Sequence, residues 1–321
     1  YITYVKPVIK RVTERGSLMS VIQVENLTKD YGFGRGVFDI SFDIAQGEVF
    51  GFLGPNGSGK TTTIRHIMGF SKPQSGHTSI DGMDSWEKSA EIQRNTGYLP
   101  GEIALPEGLT GTEFLRMMAG MRGMKDTAYL KTLLDRFELD PNVNTKKMSL
   151  GVKRKLAVVT AFMHDPKVII LDEPTSGLDP VMQQNFIEFV NSEKKKGKTI
   201  LMSSHIFREV DATCDRIAII KDGHIMDTFV ADDLRHSSNK VYQIAFTDDE
   251  GFYRFQSMNF ELSYSDPIKR KVKVIITDTD INSLIEATSS IPMVYFKEIK
   301  FTLEDYFMKF YKEDKVFEGV R

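Results

Sequence analysis

The run Gly47-Glu48-Val49-Phe50-Gly51-Phe52-Leu53 is strand-like and mostly apolar, then breaks at Gly54-Pro55-Asn56-Gly57-Ser58-Gly59-Lys60-Thr61, and Thr61 to Met68 reads as a helix. No other stretch constrains the chain so strongly. The break matches G-x-x-x-x-G-K-[ST], the pattern of a phosphate-binding loop between a strand and a helix. Glycines let the backbone turn so that successive N–H groups point inward at phosphate oxygens, and the opening helix adds its positive dipole end. Lys60 is expected to reach the β- and γ-phosphates of a nucleotide, and the Thr61 hydroxyl to hold Mg²⁺. Gly54 to Thr62 would together form the cradle.

A second run completes the chemistry. Val168-Ile169-Ile170-Leu171 has the continuous apolar character of a strand buried on both faces, and it ends in Asp172-Glu173. A carboxylate at such a strand exit can bind Mg²⁺ opposite the phosphate loop, a role that suits Asp172. Glu173 is then placed to polarise an attacking water as a general base.

Around these runs, strands alternate with helices. Val21 to Val24 and Ile40 to Ile44 alternate with a period of two, while Lys198 to Met202 and Arg216 to Ile220 are further apolar runs. Thr110 to Phe137 predicts a helix from its Leu, Met and Arg spacing; Ser149 to Met163 and Pro180 to Lys196 predict others, the last with Gly197 past its end. This is an α/β pattern with a largely parallel sheet. Beyond the tight-turn signal Lys221-Asp222-Gly223-His224 the pattern becomes β-α-β-β-α-β, the ferredoxin-like order. The predicted strands there are Asn239 to Thr247, Phe260 to Ser265, Lys271 to Thr277 and Met293 to Lys300. Asp249 to Met258 and Asp280 to Ser290 are the helices between them. Thr302 to Tyr311 predicts a last helix, with Thr302 and Asp305 in capping positions.

Length and composition fit this plan. A chain of 321 residues is about two domains' worth. A hydrophobic share of 41% and a charged share of 27% exclude low-complexity and wholly disordered readings. The net charge of −2 names no nucleic-acid partner. A single cysteine, Cys214, excludes an internal disulfide framework and suits a reducing, cytosolic setting. No apolar run approaches the roughly 20 residues of a membrane helix. Tyr1 to Leu18 carries Lys6, Lys10, Arg11 and Arg15 against Glu14, and is expected to be a non-native or disordered extension with Met19 as the natural start. The expected domains are therefore residues 19–226 and 227–321, with a helical subdomain over about 103–165.

The run Glu173-Pro174-Thr175-Ser176-Gly177-Leu178-Asp179-Pro180 resembles that of ATP-binding cassette (ABC) ATPases, and the resemblance extends from about Ser20 to Asp227. Met148-Ser149-Leu150-Gly151-Val152 stands where the family has Leu-Ser-Gly-Gly-Gln, and Ser203-Ser204-His205 where it has its switch histidine. Tyr31 resembles the aromatic that stacks on adenine. The resemblance implies the ABC fold: a parallel-sheet core, an antiparallel β subdomain and a helical subdomain, here followed by the ferredoxin-like domain. It also implies two chains sandwiching two ATP molecules. Ser149 and the Gly151 amide would then bind the γ-phosphate across the interface, His205 would orient water and phosphate, and Asp179 would couple the sites.

There are two departures from the family pattern. Where many relatives have a Mg²⁺-touching glutamine after Tyr98-Leu99-Pro100, this chain has Gly101 and Glu102. Either Glu102 substitutes or the role is lost. Leu150 and Val152 replace Gly and Gln, which weakens side-chain contacts from the fifth position. The Met117, Met118, Met121, Met124 stripe reads as helical packing, or as an adaptable groove for a helix of a membrane partner. Lys194 to Lys196 reads as dipole complement, and His66 and His164 have no metal-ligand spacing.

The family resemblance thus implies an ATP- and Mg²⁺-dependent ATPase subunit of a multidrug or antibiotic-type exporter. It would be a homodimer on the cytoplasmic face of the membrane, bound to an integral permease. The alternative is a soluble or ligand-regulated ABC ATPase not coupled to transport.

Overall fold

The computed structural model describes residues 20–235, 239–300 and 302–312. The basic stretch ahead of Met19 lies outside them. The chain divides into two units between Ala231 and Asp232. In the first, β1 (Ser20–Asp30), β2 (Gly36–Ala45) and β3 (Val49–Leu53) precede α1 (Lys60–Ile67), β4 (Ser75–Ile80) and β5 (Met83–Asp84). Next come α2 (Ser89–Asn95), β6 (Gly97–Leu99), α3 (Gly111–Met121), α4 (Ala128–Arg136) and α5 (Leu150–Phe162). The unit ends with β7 (Val168–Asp172), α6 (Pro180–Lys195), β8 (Thr199–Ser204), α7 (Phe207–Thr213), β9 (Arg216–Lys221) and β10 (His224–Val230).

Two sheets form in this unit. A four-stranded antiparallel sheet has the order β2-β1-β4-β5. A six-stranded sheet has the order β10-β9-β3-β8-β7-β6, parallel from β9 to β6. β3, β7 and β8 are buried along their whole length. That explains their unbroken apolar runs, since a parallel strand covered on both faces has no solvent side to alternate toward. Removing Phe50, Phe52, Ile170 and Leu201 entirely from water contributes about 1.5–3 kcal/mol for each side chain. The register aligns the strand exits: Leu53 lies beside Ser204, and Ser203 beside Asp172. Ligands in such sheets bind outside the carboxyl ends of the strands.

The helix expected from Thr110 to Phe137 is broken. α3 ends where Gly123 takes a left-handed φ of 64°, and the amides of Gly123 and Met124 turn back to the carbonyls of Gly120 and Ala119. This is a Schellman stop, which a glycine accepts without strain. The Lys221–His224 signal does form a hairpin. Asp222 and Gly223 have φ of 48° and 78°, the paired positive angles of a type I′ turn. β10 then continues through the Met226/Asp227 boundary drawn from the sequence, because it hydrogen-bonds along β9 as far as Val230.

α8 (Ala231–Arg235) spans the division between the units. The second unit contains β11 (Asn239–Phe246), α9 (Asp249–Gln256), β12 (Glu261–Asp266), β13 (Lys271–Thr277), α10 (Ile281–Thr288), β14 (Met293–Ile299) and α11 (Leu303–Lys312). Its antiparallel sheet has the order β12-β13-β11-β14, the split β-α-β arrangement. Phe252 and Phe255 of α9 and Leu284 of α10 pack with Ile244, Phe246, Val272 and Val274 of the sheet. Thr302 and Asp305 cap α11 reciprocally.

One buried carboxyl on α7 carries a stability consequence. Glu209 is 3% exposed, accepts a hydrogen bond from Ser204 Oγ at 2.9 Å, and its Oε1 has no partner among the described residues. Burial pushes it up from 4.5 to about 7. Between those pH values the unfolded carboxyl has lost its proton and the folded one has kept it, so stability falls as pH rises through the window. Glu209→Gln removes the ionisable group. Its stability relative to the parent should rise by roughly 2–3 kcal/mol between pH 4.5 and 7.5 in denaturant titrations, and a pH-independent difference would contradict the assignment.

Candidate functional site

The loop after β3 is shaped by its glycines and by the hairpin beside it. Gly59, which caps α1, has φ 111°, and a Cβ there would lie 2.8 Å from Val37 Cγ1. The loop is braced by Gly223 N–H donating to Ser58 O at 3.0 Å. α1 has neither a side-chain cap nor an acidic first turn, so its first amides face the loop with nothing to neutralise them.

Lys60 is 5% exposed. Its Nζ donates to Gly54 O at 2.6 Å and Pro55 O at 3.0 Å, and stands 3.0 Å from Glu173 Oε1. The Thr61 hydroxyl donates to Asp172 Oδ2 at 2.7 Å. Ser203 Oγ donates to Asp172 Oδ1 at 2.5 Å. Asp172 is fully buried, a costly position for a carboxylate unless its oxygens are hydrogen-bonded. Two hydroxyls meet that need. Glu173 follows with a left-handed φ of 49°, which turns its side chain out of the strand. His205 Nδ1 meets Glu173 Oε2 at 2.6 Å. Lys60, Thr61, Asp172, Glu173 and His205, all expected site residues, are thus joined in one network.

A cavity of about 460 Å³ adjoins the network, lined by Tyr31, Asn56, Gly57, Gly59, Lys60, Thr61, Thr62 and Glu173. Tyr31 is 57% exposed, with Lys29 Nζ 5.9 Å above its ring, so an aromatic face is free for a base. The dimensions, the convergent amides and the buried lysine fit a nucleoside triphosphate. Thr61 and Asp172 offer hard oxygen donors side by side, the set that Mg²⁺ combines with phosphate oxygens and water.

Ser149, Gly151 and Asp179 do not line this cavity. Ser149 caps α5 by accepting from Val152 N–H at 3.3 Å. Gly151 lies against Gly177, whose carbonyl oxygen would be 3.1 Å from an added Cβ. Asp179 caps α6, and the Met182 amide it accepts from holds its carboxyl below the usual range. Glu102 is exposed. At Gly101 a Cβ would stand 3.0 Å from Asp172 Oδ2, so the glycine leaves room for that carboxylate.

Four residues contribute to the site beyond those the sequence points to. Ser203 sits in the run leading to His205, and its signal in the sequence is a hydroxyl near the end of an apolar strand. Arg154, 3% exposed, donates to Pro100 O, Gly101 O and Ser176 O and so ties α5 to both loops around Asp172. Nothing in its sequence context announces that. Asp222 and Gly223 form part of the cavity wall, which only the β9–β10 pairing reveals.

Comparisons with known proteins agree. A family model described as ABC transporter matches residues 37–176. The bacitracin transport ATP-binding protein BcrA of Bacillus licheniformis is 30% identical over 299 residues, covering 91% of this chain and 97% of BcrA. The linearmycin resistance ATP-binding protein LnrL of Bacillus subtilis (strain 168) is 36% identical over 211 residues, covering 64% of this chain and 68% of LnrL. Against the "Probable multidrug ABC transporter ATP-binding protein YbhF" of Escherichia coli (strain K12), identity is 34% over 68% of this chain, which spans 39% of that relative's length. A solved ATP binding subunit of an ABC transporter is 33% identical with a TM-score of 0.62, covering 67% of this chain and 92% of that one. A dimeric bacterial ABC transporter cassette, 23% identical, shares the fold with a TM-score of 0.60 over 65% of this chain and 98% of its own. The chain belongs to the ABC transporter family, among its ATP-binding proteins.

Proposed function

We propose that this chain is the ATP-hydrolysing subunit of an exporter of antibiotic or drug type. The observation that carries the ATPase reading is the network of Lys60, Thr61, Asp172, Glu173 and His205 at the strand exits beside the Tyr31 cavity. The exporter reading is supported by the transport and resistance named for BcrA and LnrL, and by the match to BcrA along nearly its whole length.

Lys60 exchanges its two loop carbonyls for phosphate oxygens, and Tyr31 stacks on the base. Thr61 and Asp172 would hold Mg²⁺, which would supply positive charge against the phosphates. Glu173 takes the proton of the attacking water. His205 fixes the carboxylate through its Nδ1 contact and orients the water against the γ-phosphate. Because Ser149 and Gly151 lie off the cavity, they serve the nucleotide of a second copy, with Asp179 at the interface between the sites. Glu102, exposed beyond Gly101, is the nearest acidic replacement for the family's glutamine.

The membrane partner docks elsewhere. A largely apolar cavity of about 500 Å³ is lined by Phe70, Tyr98, Leu105, Phe114, Met118 and Met121, among others. Flexible methionine side chains suit an incoming helix there. A permease partner at the cytoplasmic face is supported by the transport and resistance ATP-binding proteins this chain resembles; among the described residues no helix is long and apolar enough to cross a membrane.

Glu173→Gln should bind ATP within about threefold of the parent yet turn over 10²- to 10⁴-fold more slowly. It should also accumulate as a dimer with ATP in size-exclusion chromatography, and a monomer with unchanged turnover would sink the mechanism. Lys60→Ala should weaken nucleotide binding by at least about tenfold, the loss of one charged contact. Normal ATP affinity there would overturn the loop assignment. Tyr31→Ala should weaken ATP binding by about fivefold, near 1 kcal/mol of stacking, with kcat little changed.

A further inference from the structure

We propose that Ser203 is a positioning residue that sets both carboxylates of the site through one hydroxyl. The inference rests on the ATPase reading and adds a residue to it. Ser203 is fully buried at the end of β8, after Ile200, Leu201 and Met202, which are equally buried and apolar. Ser203 lies where the strand runs beside Asp172, its register partner on β7. Its proton goes to Asp172 Oδ1 at 2.5 Å, and its oxygen accepts the Glu173 N–H at 3.2 Å. The same N–H is 3.2 Å from Ser203 O, so backbone and side chain of one residue hold a single amide.

That amide belongs to the residue with φ 49°, a left-handed conformation that a non-glycine residue keeps only when its surroundings enforce it. The clamp enforces it, and the turn is what aims Glu173 at Lys60 and His205. On Asp172, Thr61 and Ser203 hold opposite oxygens, so the plane of the carboxylate is fixed from both sides. With Ser203 absent, Oδ1 would lose its donor in a water-excluded place, and the carboxylate would be free to rotate away from Thr61 and the Mg²⁺ position. A hydroxyl that merely filled buried space would need only one of these bonds. This one joins the metal-side carboxylate to the water-side carboxylate.

The test compares the full chain with Ser203→Ala, Ser203→Cys and Ser203→Thr, each checked for folding by thermal melt. Affinity for a fluorescent ATP analogue is measured with Mg²⁺ and with EDTA, alongside kcat and KM for ATP. Ser203→Ala should bind the analogue in EDTA as the parent does, lose at least fivefold of the Mg²⁺-dependent gain with KM for ATP rising by a similar factor, and lose at least tenfold in kcat. Ser203→Thr, which keeps the hydroxyl, should restore most of both. Ser203→Cys, nearly isosteric but a weak donor, should behave like Ser203→Ala and decides the matter if the alanine variant does not fold. A folded alanine or cysteine variant with parental Mg²⁺ dependence and turnover overturns the proposal. So does an equal loss of affinity with and without Mg²⁺, or a folded threonine variant that restores nothing. Failure of the unaltered protein to bind nucleotide at all is a different result: it removes the ATPase reading, and this inference with it.

Discussion

A carboxylate with no exposure to water governs the organisation of this site. Asp172 ends a strand that is apolar until its last position, and it survives there because Thr61 and Ser203 each donate a hydroxyl proton to one of its oxygens. Those donors come from different segments: the first turn of α1 and the end of β8. The arrangement therefore requires β3, β7 and β8 to stop at the same level, as their parallel registers ensure. It also requires a small residue on the far side. Gly101 provides it, since a Cβ there would stand 3.0 Å from Asp172 Oδ2.

A rigid frame surrounds the carboxylate. Arg154 spends its guanidinium on three backbone carbonyls of the segments at Pro100–Gly101 and Ser176. Burial lowers its tendency to hold a proton, and the nearby charges of Asp172 and Glu173 work in the opposite direction. The β9–β10 hairpin presses on the phosphate loop through Gly223. Fixed dipoles and donors of this kind need no rearrangement when charge develops on a reacting group. On the proposed ATPase reading, Lys60 is the member arranged for exchange, because its partners, Gly54 O and Pro55 O, are carbonyls of the loop that a phosphate would occupy.

Much of this was legible in the chain. The glycine-rich loop and the Asp172–Glu173 strand exit were readable because each is a local pattern of residue types whose chemistry depends on adjacency, while His205 was placed by the family resemblance. The parallel core was readable from apolar runs without alternation, and the strand order of the second unit agrees with its β-α-β-β-α-β reading. The single long helix over Thr110 to Phe137 was not correct. Apolar spacing carries across a break almost undisturbed, while the stop at Gly123 rests on one backbone angle. Ser203 and Arg154 were missed for a related reason: a serine and an arginine acquire meaning only from what lies across the sheet or beside the helix.

The sequence by itself determined the groups available: a glycine-rich loop ending in Lys60-Thr61 and two consecutive carboxylates at a strand exit, set by residue type and near neighbours, with His205 and Tyr31 marked by the family resemblance. Tertiary structure decided how those groups are held. The distance from Asp172 to Ser203, the left-handed turn that aims Glu173, and the separation of Ser149 and Gly151 from the Tyr31 cavity depend on register and packing between segments far apart in the chain. Local patterns encode backbone preference and side-chain chemistry. They do not encode which strand becomes the neighbour, and here the neighbour supplies the hydrogen bond that lets a buried charge persist.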